Sequence, residues 1–286
     1  MTPKVSIVIP AYNNVQYIAE TLDSVLNQSY YDYEVVIADH SSVDGTKDVI
    51  DSYSGHPKLR ILSPTPVGGG AQANWNRVSS EARGTYVKLV CGDDIIAPTA
   101  LAEQVAAFEA HPTAVLVASQ RDLVDSSGGV FIKSRGLQGI SGLVSGAKAV
   151  RATVVAGSNI FGEPACVMFR RDLLEKEGGW DNTHPYLIDE ATYARICFHG
   201  DVVAIRRSLA KFRISASQWS VRLAKQQSDQ AIAFHNEVAR THPGVLSRID
   251  LMVGNLKAVA MSYARRLAYM RLRKRMGHEH AVESTV

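Results

Sequence analysis

Cysteine is scarce in this 286-residue sequence: Cys91, Cys166 and Cys197 are odd in number, widely spaced and free of any CxxC pair. Neither a disulfide framework nor a paired-thiolate zinc site is supported, and a reduced, cytoplasmic setting is expected. Long apolar runs are missing as well. None approaches the ~20 residues that a membrane-spanning helix needs, so membrane contact is expected only as peripheral contact, on the inner face. One Lys precedes the first apolar stretch, which Pro10 and Asn13-Asn14 interrupt, unlike a signal peptide. A net charge of +3 is too small to make nucleic acid an expected partner. The first strand-to-helix turn reads PAYNNV, without GxGxxG, and no P-loop lysine motif occurs. Nicotinamide-dependent and ATP-hydrolysing enzymes are therefore disfavoured.

What is present is an ordinary globular composition, 46% hydrophobic and 21% charged, with strong punctuation. Lys4–Ile9 is a β-branched run ended by Pro10 and reads as a buried strand. Ile18, Leu22, Val25 and Leu26 then form a helical stripe. Strand and helix alternate through Glu34–Ala38, Val43–Tyr53, Lys58–Leu62, Gly68–Ala82 and Thr85–Val90. That alternation predicts an α/β fold, Rossmann-like, with a mostly parallel sheet flanked by helices. A helix is expected over Pro98–Ala110, a strand over Thr113–Ser119 and a hairpin around Ser126-Ser127-Gly128-Gly129. Further on come a strand near Ala165–Phe169, a helix near Asp189–His199 and a strand at Val202–Ile205. From Gln218 the pattern is helical, broken at His242-Pro243-Gly244. The expected organisation is a mixed-sheet unit over 1–216 and a helical C-terminal extension over 217–286.

Open parallel sheets bind ligands beyond the carboxyl ends of their strands. Three such ends carry chemically useful residues: Pro10-Ala11-Tyr12-Asn13, Asp39, and Cys91-Gly92-Asp93-Asp94. Adjacent carboxylates after a buried strand repel one another unless a cation sits with them, and a hard divalent ion held by one or two carboxylates plus phosphates is a common nucleotide-site arrangement. A turn cap at Asp94 with a solvated Asp93 is the structural alternative.

VSIVIPAYNN, EVVIADHSSVDGT, GTYVKLVCGDDI and the later GGWD with its downstream acid, taken together, resemble the family 2 (GT-A fold) inverting glycosyltransferases over about residues 4–215. The resemblance implies a GT-A type sheet. It also implies a nucleoside-diphosphate sugar donor (UDP, GDP or dTDP), and a base and ribose lined by Pro10, Ala11, Tyr12, Asn13 and Asp39. Asp93 would meet the diphosphate, and Asp93 and Asp94 together a Mn²⁺ or Mg²⁺ ion. His40-Ser41 stands where the family has Asp-Gly, and Cys91-Gly92 replaces the first acid of D-x-D-D. The catalytic base falls on Asp189, with Ile188 in place of the usual Glu and Glu190 as the competing choice. Ordinary helix-terminal acids are the alternative for both. Glu163 and Trp180 fall on the acceptor side, Trp180 being equally a core plug. Arg213 or Trp219 could touch diphosphate, and Ser215 occupies a position where relatives often carry His. A single base opposite a metal-bound diphosphate describes one in-line displacement, hence inversion.

Between Asp250 and Glu279 stand seven Lys or Arg and no acid, interleaved with Leu256, Val259, Ala260, Tyr263, Leu267 and Met270. A basic amphipathic helix over 250–276 would suit an anionic membrane surface; packing on the catalytic unit or on a second copy in a homodimer is the alternative. The leading expectation is a cell-envelope glycosyltransferase acting on a glycan or lipid-linked acceptor. A sugar-nucleotide-forming nucleotidyltransferase and a catalytically degenerate nucleotide-sugar-binding or membrane-associated interaction protein are the competitors.

Overall fold

The computed structural model describes residues 2–214 and 227–283, with side chains of the last helix as far as Arg265. The strand expected over Lys4–Ile9 is β1 (Val5–Ala11), which continues through Pro10 and is buried along its whole length. It pairs in parallel with β2 (Tyr33–Asp39) on one side and β4 (Tyr86–Leu89) on the other, and β3 (Leu59–Ile61) extends the edge beyond β2. Continuous Val and Ile runs belong in such a place, because both faces of a parallel sheet are covered. Three helices do the covering: α1 (Ile18–Leu26), α2 (Thr46–Ser52) and α3 (Gly70–Ser80). Helix α1 turns Ile18, Leu22 and Val25 inward, the stripe expected from its periodicity.

Beyond β4 the sheet becomes mixed. It continues through β5 (Ile95–Ile96), α4 (Ala100–Ala110), β6 (Ala114–Val124), β7 (Val130–Arg135), β8 (Gly142–Ser145) and α5 (Gly146–Ala156). After these come β9 (Val167–Arg170), α6 (Arg171–Lys176), α7 (Ile188–Cys197) and β10 (Asp201–Arg213). The strand order is β3-β2-β1-β4-β9-β6-β10-β5, with β7 on β6 and β8 on β10. Strand β9 runs antiparallel to both β4 and β6, whereas β6 and β10 are parallel. The hairpin expected near Ser126 joins β6 to β7. Its turn is fixed by Asp125, whose Oδ1 accepts from the Ser127 and Gly129 N–H groups at 3.0 and 2.8 Å, an Asx-type turn. Sequence periodicity did not reveal β8, α5 or α6, whose short runs lack a dominant period.

Of the region expected as a helical extension, 217–226 and 284–286 lie outside the described residues, and the rest holds α8 (Gln227–Thr241), then α9 (Arg248–Glu283) after a break at His242–Ser247. Ser247 and Asp250 form a reciprocal cap at the start of α9, the Ser247 hydroxyl accepting from the Asp250 N–H (3.1 Å) and donating to Asp250 Oδ2 (2.8 Å), which satisfies otherwise orphaned donors. Asp250 also takes both arms of the Arg151 guanidinium from α5 at 2.9 and 2.7 Å. Helix α9 crosses α5 at close range: a Cβ on Gly157 would lie 2.5 Å from the Ala258 nitrogen, and one on Gly254 2.4 Å from the Val154 carbonyl oxygen. The extension is therefore seated on the sheet unit over its first turns. Its outward face carries Ile249, Met252, Leu256 and Tyr263, 61–72% exposed. No helix among the described residues is long and apolar enough to cross a membrane.

Candidate active site

The carboxyl ends of β1 and β2 lie side by side, with Ala11 in register with Asp39. Asn74 of α3 pins both ends. Its amide donates to the Ala11 and Ala38 carbonyls at 3.2 and 3.0 Å, and its Oδ1 accepts from the Thr65 hydroxyl at 2.7 Å. The two following loops are laced together: the Asn13 N–H donates to Ser42 Oγ (2.9 Å), and Asn13 Oδ1 accepts from the Val43 N–H (3.1 Å). Asp39 is 5% exposed, its two oxygens accepting from the Ser42 N–H (2.9 Å) and hydroxyl (2.5 Å). Pro10 and Ala11 are buried while Tyr12 and Asn13 are exposed. Of the four residues expected to line a base, only Tyr12 and Asn13 present side chains; strand pairing turns the other two into the core. His40, in the Asp position of the related motif, is also inward. Its Nε2 bonds the Gly68 carbonyl at 2.9 Å, and its ring lies 5.8 Å from that of Tyr12.

The loop after β4 meets this rim at close range. A Cβ on Gly92 would sit 2.5 Å from Asn14 Oδ1, so Cys91-Gly92 replaces bulk with room for the approach. The next two acids then part company. Asp93 is half-buried at the rim, while Asp94 is fully buried. Asp94 Oδ1 accepts from the Arg213 N–H at 3.3 Å, its carbonyl accepts from the Thr21 hydroxyl at 2.9 Å, and its Oδ2 has no hydrogen-bond partner. Burial, with the charge of Asp93 adding, pushes its carboxyl well above the usual range. Asp93 is thus the acid with solvent access, whereas Asp94 keeps an unpartnered carboxyl oxygen inside. Arg213 does not present a free guanidinium to a diphosphate. It is 2% exposed and donates to the Asp93, Asp125 and Ser126 carbonyls at 3.1–3.3 Å and to Glu20 at 2.5 Å. Ser215 and Trp219 lie outside the described residues.

Asp189 opens α7. Its Oδ1 accepts from the Glu190 N–H at 2.8 Å and its Oδ2 from the Asn159 amide at 2.9 Å. Burial, with Glu163 contributing, raises its carboxyl to about 7 against the opposing pull of that N–H and of Arg121, close to the operating range of a general base. Glu190 is the more buried of the two. It is 2% exposed, accepts from the Thr153 hydroxyl at 2.9 Å and is pushed up to about 8 by burial and by Asp189. Glu163 stands before a 3₁₀ turn, Pro164–Cys166, and pairs with the buried Arg121. That turn is held by residues the sequence did not single out. Lys88 in the middle of β4 donates to the Ala165 carbonyl at 2.5 Å and to Gln104 at 3.0 Å, while Gln104 and Ser119 donate to the Cys166 carbonyl at 2.9 and 3.2 Å. A buried lysine in a strand between apolar neighbours is a signal that could have found them.

Asp93, Asp94, Asp189 and Glu163 all act on the Cys91 thiol, which burial and their charges hold protonated. A neutral thiol thus stands where a further acid would add repulsion. Trp180 does not join them. It is 1% exposed, its indole N–H donates to Ser79 at 2.9 Å, and it packs edge-on against Trp75, Phe169 and Tyr193. It is the core plug of the two readings, with no face left for a sugar. Asp189, Glu190, Glu163 and Arg121 line a cavity of about 340 Å³, within the range of small-molecule sites.

The chain matches the family model described as Glycosyl transferase family 2 over residues 6–178. It is similar to chondroitin synthase of Pasteurella multocida (strain Pm70), 44% identical over 100 residues, 35% of this chain and 10% of that one. It is also similar to poly(ribitol-phosphate) beta-glucosyltransferase of Bacillus spizizenii, 37% identical over 101 residues, 34% of this chain and 16% of that one. The match spans no more than 40% of the length of the first curated relatives. In structure it is similar to the mannosyltransferase PcManGT from Pyrobaculum calidifontis in complex with GDP-Man and Mn²⁺, with a TM-score of 0.66 at 18% identity, covering 99% of this chain and 81% of that one.

Proposed function

The chain belongs to glycosyl transferase family 2, and from that premise we propose that it moves one sugar, with inversion, from a nucleoside-diphosphate sugar to a hydroxyl acceptor of a cell-envelope glycan or glycolipid. The carrying observation is Asp189, held by Asn159 and the Glu190 N–H in the lining of the cavity beside Glu163, with Asp93 on the β4 loop that packs against Asn14. Donor and acceptor then meet from opposite sides. Asp189 takes the acceptor's hydroxyl proton as that oxygen attacks the anomeric carbon, and the bond to the diphosphate breaks with its electron pair on the departing phosphate oxygen. One displacement inverts the centre, and Asn159 and the Glu190 N–H keep the Asp189 carboxylate aimed. Tyr12 and Asn13, exposed on the rim, suit the nucleoside.

Among the described residues no group of three or more His, Cys, Asp or Glu could hold a metal ion. The rim position and hard oxygens of Asp93 nevertheless suit a Mn²⁺ or Mg²⁺ ion that arrives with the nucleotide and completes its shell from phosphate and water. Such an ion would neutralise charge on the departing diphosphate, and the Mn²⁺ in the structurally similar mannosyltransferase complex supports it.

Incubating the full chain with Mn²⁺, UDP-, GDP- and dTDP-sugars and envelope extracts tests the proposal. Release of nucleoside diphosphate is expected, whereas pyrophosphate release would assign a nucleotidyltransferase. Binding without turnover, indifferent to Asp189→Asn, would leave only the degenerate alternative.

The exposed Ile249, Met252, Leu256 and Tyr263 stripe supports peripheral contact of the 250–276 helix with an anionic inner membrane surface, a second copy being the competing occupant. Met252→Glu/Leu256→Glu is expected to abolish flotation with phosphatidylglycerol-rich vesicles. Unchanged flotation, or loss of a dimer instead, would remove the membrane from the account.

A further inference from the structure

The cavity beside Asp189 has a second wall, and it is built by the C-terminal helices. Gln227, Ala231 and His235 of α8 and Ala258, Met261 and Ala264 of α9 face it. Across from them stand Leu123 and Ile214 at the strand ends and Phe131 and Ile132 of β7, the last two 41 and 39% exposed. A glycan acceptor needs hydroxyl-bearing, hydrogen-bonding walls throughout; here Gln138, Ser158 and Asn159 supply some, but these facing surfaces form a continuous aliphatic and aromatic stretch. Charge enters at two points. At one end lie Asp189, Glu190 and the Arg121–Glu163 pair. Arg135 of β7 and Arg265 of α9 also line the cavity, the latter donating to the Tyr186 hydroxyl at 2.7 Å and to Gln227 Oε1 at 3.3 Å. His235 adds no charge, since burial lowers its pKa and its Nδ1 lies 2.8 Å from Asn255 Oδ1.

We propose that helices α8 and α9 complete the acceptor subsite, and that the acceptor is an amphiphile: a sugar hydroxyl presented to Asp189, an apolar portion between β7 and α9, and an anionic group, phosphate or carboxylate, met by Arg265 and Arg135. The inference rests on the transferase reading and sharpens it to a substrate class. An apolar chain gains from water exclusion along Phe131, Ile132, Met261 and Ala264, and two guanidinium groups match an oxyanion bidentately. Volume sets the scale: about 340 Å³ takes one sugar and a short length of chain, the rest extending over the exposed β7 edge. The extension is then part of the site rather than an appendage to it.

The test uses the full chain and three synthetic acceptors sharing one sugar: the methyl glycoside, the octyl glycoside and the octyl glycoside phosphate. KM is expected to fall at least tenfold from methyl to octyl and again on adding the phosphate. Ala264→Trp, at an exposed position that tolerates bulk, should raise the octyl acceptor's KM at least tenfold while calorimetric nucleotide affinity stays within twofold. Arg265→Gln should erase the phosphate preference, and Arg265→Lys should restore part of it. Equal KM values for methyl and octyl glycosides, or variants that weaken nucleotide and acceptor alike, would overturn the subsite. Octyl glycoside phosphate that binds in calorimetry and is displaced by Ala264→Trp, with no nucleotide released from any donor, would instead overturn the transferase reading and leave the subsite standing.

Discussion

Replacing Asp189 with Asn is expected to lower acceptor transfer by about a hundred- to ten-thousandfold, the range a positioned general base contributes, with nucleotide affinity little changed. Asn keeps the shape and can still accept from the Glu190 N–H, so the loss reports proton transfer rather than collapse. The pH profile carries the sharper signature. Burial raises Asp189 to about 7, so the base form is lost as pH falls through that value. The kcat/KM of the natural chain should therefore drop about tenfold per unit below pH 7 and level off above it, and the residual rate of the Asn variant should lack this limb. Stability should move with the opposite sense. The folded carboxyl holds a proton that the unfolded chain, near 3.9, releases; its contribution to stability therefore falls as pH rises from about 4 to about 7 and stays low above. Asp189→Asn is then expected to be more resistant to urea at pH 8 by a few kcal/mol at most, and no more so at pH 4. Such a trade of stability for a poised group is what a functional carboxylate shows. A variant with full transfer activity and an unaltered pH profile would pass the role to Glu190, despite its bond to Thr153.

The second large effect separates Asp93 from Asp94. Asp93→Asn should reduce transfer by about a hundred- to a thousandfold, the several kcal/mol a Lewis acid supplies to a departing phosphate, and should abolish the Mn²⁺-dependent part of nucleoside-diphosphate binding in calorimetry. Chelation of the natural chain should reproduce the loss, and added Mn²⁺ or Mg²⁺ should reverse it. Asp94→Asn should cost less than about tenfold. Its carboxyl is already biased to the neutral form by burial, and the amide oxygen can keep accepting from the Arg213 N–H. Equal losses in both variants, or a larger one at Asp94, would mean that the loop rearranges to bring the inner acid to the ion. Activity indifferent to chelation would remove the metal while leaving Asp189 in place.

Family membership and the first four strands were legible in the sequence because they depend on local features. A β-branched run ended by Pro10 can hardly be anything but a buried strand, and the VSIVIPAYNN and CGDDI blocks sit at strand ends whatever surrounds them. The same locality identified Asp39, Asp93 and Asp189 as acids at strand or helix termini. Which way each side chain faces is not local. Asp93 and Asp94 are adjacent and chemically identical, yet only strand pairing and Arg213 from the far end of β10 decide that one meets the rim and the other the core. Trp180 after Gly178-Gly179 could stack on a sugar or fill the interior; the three aromatic neighbours that bury it come from α3, β9 and α7. Asn74, Lys88 and Gln104 carried no motif at all, because their task is to tie together backbones distant in sequence.

The sequence by itself determined the sheet-forming half and the acids at its strand and helix ends, since each follows from residue type and spacing along a short stretch. Tertiary structure alone decided that Asp189 is held by Asn159 and Glu190 by Thr153, that Asp94 is buried while Asp93 is not, and that α8 and α9 wall the cavity those acids line. Burial and approach between elements far apart in the chain set those outcomes, and no periodicity encodes them.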